Sequence, residues 1–393
     1  MQVTQIAIGR FHHFHLARQL SKHDMLDSIW TGYPRWKLAD EKGIDPERIR
    51  SFPVNMVAQH VLGRMPHFPG SGKISKQLSW NNSEILDKKV ERHIKSAKVL
   101  VALSSSGLRA GRKAKAHGGF YVCDRGSTHI AHQYDVLTQE YARWAAPPPE
   151  FDARVIDKEI REYDEADLIT VPSDFVRQTF IKRGVPASKM RLIPYGGRLD
   201  RFSPVARPNP DDFTVLYVGR LSIRKGLPYL LEAFARLRHP RKRLILIGSK
   251  EPGMDGIMAQ FPMERVEYLG AVPNNRLADF YSRADVMVLP SLEEGLAMVM
   301  GEALACGCPV IATHNSGASD LFDSGSEGFI VDAGRWEPVH EALTALADDA
   351  PLRSAMREAA EKRITQIGGW DSYGEKWTGL VRELNDTVAE RSR

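Results

Sequence analysis

Short apolar runs alternate with longer amphipathic stretches along most of the chain, a pattern typical of buried parallel strands joined by helices. In the second half the runs predict strands at 214–218, 243–247, 266–269, 286–289, 310–312 and 329–331. In the first half they predict strands at 1–8, 28–31, 49–53, 97–103, 120–123 and 189–195. Helices between the strands would cover both faces of a doubly wound parallel sheet. We therefore predict an α/β fold.

Proline and polar residues interrupt this rhythm near the middle of the chain. The segment 202–210 is rich in both and has no apolar run, which is typical of a linker. It indicates two domains, with a boundary at residues 198 and 199. After residue 370, the helical spacing of Trp370 and Trp377 predicts a last helix over 371–393.

An acidic loop follows the predicted strand at 286–289, and the pattern after it predicts a helix over 296–306. Glu294 stands on the loop, and Glu302 stands two turns into the helix, roughly 12 Å further along its axis and on the same face. A helix N-terminus attracts anions because its N–H groups are unpaired and its dipole is positive there. Carboxylates on both sides of a bound diphosphate could accept hydrogen bonds from hydroxyl groups. This arrangement suits a nucleoside-diphosphate sugar.

The same segment resembles the signature of family-4 retaining glycosyltransferases, whose fold is called GT-B. Glu294 and Glu302 enclose seven residues, and Ala-Cys-Gly-Cys-Pro-Val-Ile-Ala-Thr follows at 305–313. The resemblance implies two Rossmann-like, doubly wound parallel-sheet domains that face a cleft. It covers most of residues 160–390, and the first 150 residues match only in rhythm.

Each predicted domain acquires a role from this resemblance. Residues 1–198 would be the acceptor domain, and residues 199–370 would be the nucleotide-sugar donor domain. In this family the last helix, here 371–393, packs back on the first domain.

Two basic residues near the end of the predicted strand at 214–218 resemble the arginine–lysine pair of the family. They are Arg220 and Lys225, each beside a glycine. A departing nucleoside diphosphate gains negative charge as the sugar–phosphate bond breaks, and cationic side chains with helix amides could stabilise this charge in place of a divalent metal. Asp211 and Asp212 precede the strand, so they do not form a metal site at its end. We predict no cofactor and no divalent metal, with the nucleotide sugar as a substrate.

The resemblance assigns the remaining residues of the donor site. The family holds the base through backbone atoms of the loop after the strand at 266–269, the ribose through the second glutamate and the sugar through the first. The implied donor-binding residues are Gly9, Gly219, Arg220, Lys225, Val272, Pro273, Glu294, Gly295, Leu296, Ala297, Met298 and Glu302. The family usually has Gly-Phe-Gly where this chain has Gly-Leu-Ala at 295–297.

The loop that follows the predicted strand at 120–123 is a second candidate for chemistry, because α/β sheets bind ligands at the carboxyl ends of their strands. In the resembled family this strand end supplies a histidine that faces the cleft, which implies a catalytic set of His129, Arg220, Lys225 and Glu294. In the alternative interpretation, Asp124 and Arg125 form a local salt bridge and His129 caps the next helix.

Histidines also cluster near the N-terminus, where the segment 9–15 leads into a predicted helix over 16–22. His12 and His15 are spaced as metal ligands on a helix, but no carboxylate or cysteine stands near them in the sequence. The sequence therefore predicts no metal site here.

Composition bears on compartment and partners. The chain has 393 residues, 42% of them hydrophobic, and a net charge of +5. No apolar run approaches the ~20 residues that span a bilayer, and three cysteines do not make a disulfide framework, so we expect a cytoplasmic protein. The excess of basic residues in the first half predicts a solvated surface, a phosphate-bearing acceptor, or a peripheral contact with anionic lipid on the inner membrane face. Nucleic acid is disfavoured, because aromatic residues are not interleaved with the basic ones.

These observations predict a metal-independent, retaining hexosyltransferase. It would move a hexose-type sugar from a nucleotide-diphosphate sugar to a hydroxyl acceptor, lipid-linked or free, in bacterial polysaccharide, glycolipid or other glycoconjugate synthesis. Two alternatives stay open: a GT-B nucleotide-sugar epimerase, and a catalytically silent nucleotide-sugar-binding partner. A glycoside hydrolase would need carboxylates ~5–10 Å apart across a sugar bond, and it would not explain Arg220 and Lys225.

Overall fold

The computed structural model describes residues 2–62, 70–96 and 98–391. Within these ranges the strands form two sheets, and all their pairings are parallel. The strands of the first sheet are β1 (Val3–Ala7), β2 (Leu26–Thr31), β3 (Ile49–Ser51), β4 (Val99–Leu103), β5 (Phe120–Asp124), β6 (Leu168–Val171) and β7 (Met190–Leu192). They lie side by side in the order β3-β2-β1-β4-β5-β6-β7.

The second sheet follows the same plan. Its strands are β8 (Phe213–Val218), β9 (Lys242–Ile247), β10 (Val266–Gly270), β11 (Val286–Leu289), β12 (Val310–Thr313) and β13 (Gly328–Val331). They lie in the order β10-β9-β8-β11-β12-β13. Residues 1 and 97, which belong to two of the predicted strands, lie outside the described ranges.

Helices connect the strands and cover both faces of the sheets. They are α1 (His12–Lys22), α2 (Val54–Leu62), α3 (Ser71–His93), α4 (Leu108–Ala116), α5 (Ile130–Arg143), α6 (Ala153–Glu165), α7 (Asp174–Ile181), α8 (Leu227–Arg236), α9 (Met254–Met258), α10 (Leu277–Arg283), α11 (Val299–Ala305), α12 (Glu337–Asp348), α13 (Ala350–Arg363) and α14 (Trp370–Arg391). None of the helices in the described ranges combines the length and the apolar character that crossing a bilayer requires.

Both sheets reverse their winding beside their first strand. The reversal lies between β1 and β4 in the first sheet and between β8 and β11 in the second. Strands β1, β8, β11 and β12 are buried along their whole length, because helices lie on both sides of them. The loops diverge at such a reversal and leave a crevice at the carboxyl ends of the strands. The predicted α/β fold of two Rossmann-like, doubly wound parallel sheets is confirmed.

Helix α14 returns from the second sheet to the first. Asp371, near its start, accepts hydrogen bonds from Gln19 (2.8 Å) and Lys22 (2.7 Å) of α1. The two helices share a buried apolar cluster that includes Phe14, Leu16, Leu20, Tyr373, Trp377 and Val381. The last helix therefore packs against the first sheet's own helix layer. The domain boundaries at residues 198 and 370 stay predictions.

Two helices begin at residues other than the predicted ones. Helix α1 begins at His12 rather than Leu16, and α11 begins at Val299 rather than Leu296. In both cases the residues around the start contact another part of the chain, which the helical pattern alone does not indicate. These contacts belong to the candidate site and are described there.

Candidate functional site

Two pairs of oppositely charged residues meet where β8 and β11 end. Arg224 and Lys225 follow β8, and Glu293 and Glu294 follow β11. Arg224 Nη2 lies 2.8 Å from Glu293 Oε2, and Lys225 Nζ forms an ion pair with Glu294. The structure thus brings the predicted residues Lys225 and Glu294 into direct contact, at the reversal point of the second sheet.

A glycine makes this approach of the two loops possible. Gly226 has a φ of 70°, in the region that favours glycine. A Cβ at this position would lie only 1.8 Å from the carbonyl oxygen of Pro290. Because no other residue type fits there, Gly226 holds Lys225 beside the loop after β11.

Arg220 and Lys225 line the same depression, which also contains Ser222. Arg220 is exposed, and no ion-pair partner for its guanidinium is found within the described ranges. The side chain of Lys225 is 22% exposed. Tyr217 donates a hydrogen bond from its hydroxyl to the Arg220 carbonyl oxygen (2.8 Å), which orients the backbone after Gly219. Arg224 lines the depression as well, so it presents three cations to an anionic ligand: Arg220, and the ion-paired Arg224 and Lys225.

Glu302 lies on α11 and accepts a hydrogen bond from the Tyr281 hydroxyl at 3.0 Å. Burial raises the pKa of Glu302, and hydrogen bonds from Tyr281 and Asn274 offset part of this effect. Asn274 follows Val272 and Pro273 in the loop after β10, so this loop lies beside Glu302. The residues that sequence reasoning assigned to the base and the ribose are therefore neighbours.

The loop between Glu294 and α11 was predicted to begin the helix. It stays outside the helix because the Ala297 N–H donates a hydrogen bond to the Ser316 carbonyl oxygen (3.1 Å) and the Glu294 N–H donates one to Asn315 (3.0 Å). Ala297 is among the donor-binding residues that the resemblance implies, but its amide is already bonded and does not donate to a ligand in this arrangement. Within the described ranges, no acceptor is found for the backbone N–H groups of Gly295, Leu296 and Met298.

Glu293 joins the two domains, and sequence reasoning did not assign it a role. Its side chain is 0% exposed. It accepts hydrogen bonds from the Ser127 hydroxyl, from the hydroxyl (2.7 Å) and N–H (3.2 Å) of Thr128, and from Gln133 Nε2 (2.9 Å). Burial alone would raise the pKa of Glu293, but Arg224 and these donors lower it to about 2. The charged carboxylate therefore holds the loop after β5 against the loop after β11.

The two loops also touch through their backbones. A Cβ on Gly295 would lie 2.0 Å from the Gly126 carbonyl oxygen, so only glycine permits this contact. A Cβ on Gly126 would in turn lie 3.6 Å from the ring of His12. Gly9, which was predicted to face the cleft, is buried, and a Cβ there would lie 2.9 Å from the ring of Phe11. His12 therefore lies beside the loop that carries Gly126, and the donor-binding role implied for Gly9 stays a prediction.

His12 belongs to a polar cluster at the end of β5. The Nε2 atoms of His12 and His13 lie 2.6 and 3.1 Å from the same oxygen of Asp124. The Thr170 hydroxyl donates to the other oxygen at 2.7 Å. Burial alone would raise the pKa of Asp124, but His12 and His13 hold it well below its usual range. His12 and His13 are the first two residues of α1, so these contacts hold the start of the helix against the end of β5.

Among the residues that the structure describes, these same three form a group that could hold a metal ion. The ligand atoms of His12, His13 and Asp124 lie within 4.8 Å of one another. Sequence reasoning considered His12 with His15, but His15 stacks on Trp370 with ring centroids 3.6 Å apart. The carboxylate comes from a strand more than a hundred residues away, so no local spacing could have indicated this cluster.

His129 lies away from the cleft. Its ring packs against Tyr163 and Phe180, with centroids 4.9 and 5.0 Å apart, and its Nδ1 accepts a hydrogen bond from the Ala131 N–H (3.2 Å). Burial lowers the pKa of His129 to about 4. This position corrects the expectation of a cleft-facing His129 and fits the alternative, in which it caps α5.

Within the described ranges, Asp124 and Arg125 do not form the salt bridge that the alternative interpretation expected. Arg125 Nη1 pairs instead with Glu159 at 2.8 Å, and its Nε donates to the Thr128 carbonyl oxygen at 3.0 Å. Arg125 therefore stabilises the loop through the Thr128 carbonyl oxygen, while Asp124 contacts His12 and His13.

The capping role of His129 predicts an effect on stability. His129→Ala should lower the free energy of unfolding by about 1 kcal/mol through loss of the cap, with a further decrease from the lost ring packing. His129→Asn keeps a capping acceptor and should recover about 1 kcal/mol of that loss. Urea denaturation of the three proteins measures this. Wild-type stability of His129→Ala, combined with a large loss of turnover, would return the ring to the reaction centre.

Comparison with known proteins agrees with this geometry. Residues 200–363 match the family model of glycosyl transferases group 1. D-inositol 3-phosphate glycosyltransferase 2 of Catenulispora acidiphila is 30% identical over 302 residues, which are 70% of each chain. D-inositol 3-phosphate glycosyltransferase of Corynebacterium jeikeium is 31% identical over 256 residues, which are 59% of this chain. That match spans 60% of the relative's own length, and two further relatives are matched over 53% and 54% of theirs.

Solved structures resemble the chain over nearly its whole length. Sucrose-phosphate synthase of Thermosynechococcus elongatus has a TM-score of 0.71 at 21% identity, and HepE of Anabaena in complex with UDP has 0.69 at 16%. Each comparison covers 98% of this chain and 100% of the other. At these identities the likeness shows the fold alone. The sequence matches show that the chain belongs to the glycosyl transferases group 1 family, and the solved structures show that it has the GT-B fold.

Proposed function

We propose that this protein is a glycosyltransferase that moves a hexose-type sugar from a nucleotide-diphosphate sugar to a hydroxyl acceptor, with retention of configuration and without a divalent metal. The observation that carries this proposal is the contact of Lys225 with Glu294 beside the unpaired Arg220, at the reversal point of the second sheet. Membership of the family and relatives named as glycosyltransferases support it.

In this proposal the cations stabilise the leaving group. Arg220 and Lys225 contact the diphosphate. The N–H groups of Leu296 and Met298, which find no acceptor within the described ranges, add two fixed donors. Such groups act most strongly when they point at the position where charge develops during bond cleavage. Before the donor binds, Glu294 neutralises Lys225. When Lys225 turns to the diphosphate, the Glu294 carboxylate becomes free to accept hydrogen bonds from the sugar hydroxyls.

The two carboxylates near the sugar position bear on how the proposed retention would be achieved. Glu293 is enclosed by hydrogen-bond donors and Arg224, and Glu294 is paired with Lys225. Neither is poised as a nucleophile for a covalent sugar–enzyme intermediate. We therefore favour attack by the acceptor on the face from which the diphosphate departs, with a diphosphate oxygen accepting the acceptor's proton.

The acceptor is proposed to be a hydroxyl on a phosphate-bearing or lipid-linked molecule. Relatives carry names that state transfer to D-inositol 3-phosphate and to a phosphatidylinositol monomannoside. A first domain with excess positive charge suits such anionic acceptors, and it also suits a peripheral position at the inner face of a membrane. The setting would be glycolipid, polysaccharide or other glycoconjugate synthesis in the cytoplasm.

The direct test is nucleotide release from UDP-, GDP- and ADP-sugars, with and without a lipid-linked acceptor. A transferase releases nucleotide in proportion to transferred sugar, and the product keeps the anomeric configuration of the donor. An epimerase would convert the donor without any acceptor, and a silent partner would bind donor and release no nucleotide. Either of those results would replace the proposal.

Metal independence gives a separate prediction. Addition of EDTA should change the transfer rate by no more than about twofold, because cations of the chain neutralise the leaving diphosphate where other transferases use a metal. Dialysis against EDTA, followed by rate measurement with and without added Mg²⁺ or Mn²⁺, checks this. Complete loss with recovery on metal addition would contradict it and would direct attention to His12, His13 and Asp124.

A further inference from the structure

A mainly apolar groove opens beside the Arg220 depression, outside the residues assigned to the donor. Its volume is about 780 Å³, which lies within the usual range for ligand pockets. It runs between the proline-rich segment 144–150 of the first domain and α9 of the second. Its apolar walls are formed by Trp144, Pro147, Pro149, Ile223, Met254 and Ile257.

One end of the groove joins the candidate reaction centre. Tyr141, Pro149 and Glu251 line both the groove and the depression that contains Arg220 and Lys225. The Tyr141 hydroxyl donates a hydrogen bond to Glu251 at 2.6 Å, so polar groups mark the passage between the two spaces. A long ligand could therefore lie in the groove with its polar end in the depression that contains Arg220 and Lys225. The proposed donor diphosphate would lie in the same depression.

Glu150, which follows Pro149 in the chain, connects the groove to a surface that combines apolar and basic residues. Glu150 lines the groove and forms an ion pair with Lys76 of α3 at 2.9 Å. Near the same end of α3, Lys73 and Ile74 are exposed, and Val61 of the adjacent α2 is 56% exposed. Exposed apolar side chains next to lysines are the combination that meets anionic lipid surfaces.

We propose that the groove holds one hydrocarbon chain of the acceptor, which makes the acceptor class a lipid-linked hydroxyl compound drawn from a membrane surface. That the bound molecule is the acceptor, and where its hydroxyl lies, rest on the proposed function, whereas the binding of a hydrocarbon chain in the groove does not. Mainly apolar walls, with polar groups where the groove meets the depression, suit a molecule that has a long apolar part and a polar head. Burial of each methylene group in such a groove increases affinity.

Gly256 offers a way to fill the groove without disturbing the core. It lies on α9 at the groove wall, and a Cβ there would meet no atom within 4 Å. Gly256→Leu would place a branched side chain in the groove, and Gly256→Ala makes the same change to the backbone without filling the space. Both variants should fold, since Gly256 is exposed and a Cβ there enters open space.

The probes are n-alkyl glucosides of increasing chain length, used below their micelle concentrations with the full-length protein. Wild-type affinity, measured by calorimetry, should rise about fourfold for each added methylene group. Gly256→Leu should weaken binding by about tenfold or more, whereas Gly256→Ala should stay within about twofold of wild type. An alkyl glucoside whose alkyl chain ends in bromine should quench the fluorescence of Trp144. Trp144→Phe should remove the part of the quenching that comes from this residue.

Two results would overturn the proposal. The first is affinity that does not depend on chain length, or that Gly256→Leu leaves unchanged. The second is a loss of nucleotide binding in Gly256→Leu while alkyl binding persists, which would assign the groove to the donor base. Failure of the proposed function remains distinguishable: a protein that binds alkyl chains in the groove but transfers no sugar keeps the groove assignment and loses the transferase assignment.

Discussion

Lys225→Ala should lower turnover by about 100-fold or more, the scale of removing one preorganised stabiliser of transition-state charge. Arg220→Ala should have an effect of the same order, because both cations line one depression. Steady-state rates of nucleotide release, with the donor dissociation constant measured separately, separate the loss of turnover from the loss of donor binding. Arg243→Ala is a matched control, since Arg243 is an exposed arginine of β9 that pairs with Glu267 on β10. Wild-type rates for Lys225→Ala would contradict the proposal that this side chain stabilises the leaving diphosphate in place of a metal.

The ion pair with Glu294 should also contribute to the effect of Lys225→Ala. In Lys225→Ala, the Glu294 carboxylate loses its cation and remains charged beside the proposed diphosphate position. Part of the lost turnover would then come from repulsion rather than from the missing cation. The double variant Lys225→Ala with Glu294→Gln should therefore lose less than the product of the two single effects. Strictly multiplicative effects would mean that the two side chains act independently.

Glu293→Gln should destabilise the folded protein by about 3 kcal/mol and loosen the contact between the domains. The variant leaves Arg224 without its partner and gives the Ser127, Thr128 and Gln133 donors a weaker acceptor. Arg224 is 34% exposed and can reach water, which keeps the loss at the lower end of the range for a broken buried pair. Urea denaturation at neutral pH measures the difference, and small-angle scattering measures the separation of the domains.

Glu267→Gln is the matched control, because this glutamate is half-exposed and pairs with Arg243 at 3.4 Å on the surface. Such a pair contributes less than about 1 kcal/mol. Equal destabilisation by both variants would show that Glu293 contributes no more to the free energy of unfolding than a surface carboxylate does. An unchanged scattering profile for Glu293→Gln would contradict its role in holding the domains together.

The depressed pKa of Glu293 also gives a pH dependence. Its folded-state pKa is about 2, against an ordinary value of 4.5. The carboxylate therefore contributes its full stability above about pH 4.5, and the contribution is lost as the pH falls towards 2. Between pH 5 and pH 2 the wild-type free energy of unfolding should fall by about 3 kcal/mol more than that of Glu293→Gln. Parallel curves for the two proteins would contradict the assignment.

Several features of the site were accessible from the sequence because they depend on residues close together in the chain. The apolar run of β11, the acidic loop after it and the spacing of Glu294 and Glu302 all lie within 286–302. The basic loop after β8 is equally local, and parallel sheets place such strand ends at one edge. The meeting of Lys225 with Glu294 follows from those two patterns once the strands are neighbours.

Other features could not be predicted, because they depend on which distant residues meet. Glu293 and Glu294 are adjacent glutamates, yet one is enclosed by the first domain and the other faces Lys225. His129 carries the residue type expected of a catalytic group, but its ring points into the core of the first domain. Neither composition nor spacing distinguishes these cases, since the distinction arises from long-range packing.

The sequence by itself determined the two parallel sheets, the strand ends that carry charge, and the candidate roles of Arg220, Lys225, Glu294 and Glu302. The sheets follow from hydrophobic periodicity, which the chain encodes locally. The candidate roles follow from the resemblance of short local motifs to the glycosyltransferase family. Only the tertiary structure decided that Asp124 lies between His12 and His13, that Glu293 joins the domains, and that an apolar groove adjoins Arg220. The physical reason is that burial and hydrogen bonding between residues remote in the chain give these groups their surroundings, and those surroundings determine their charge and accessibility.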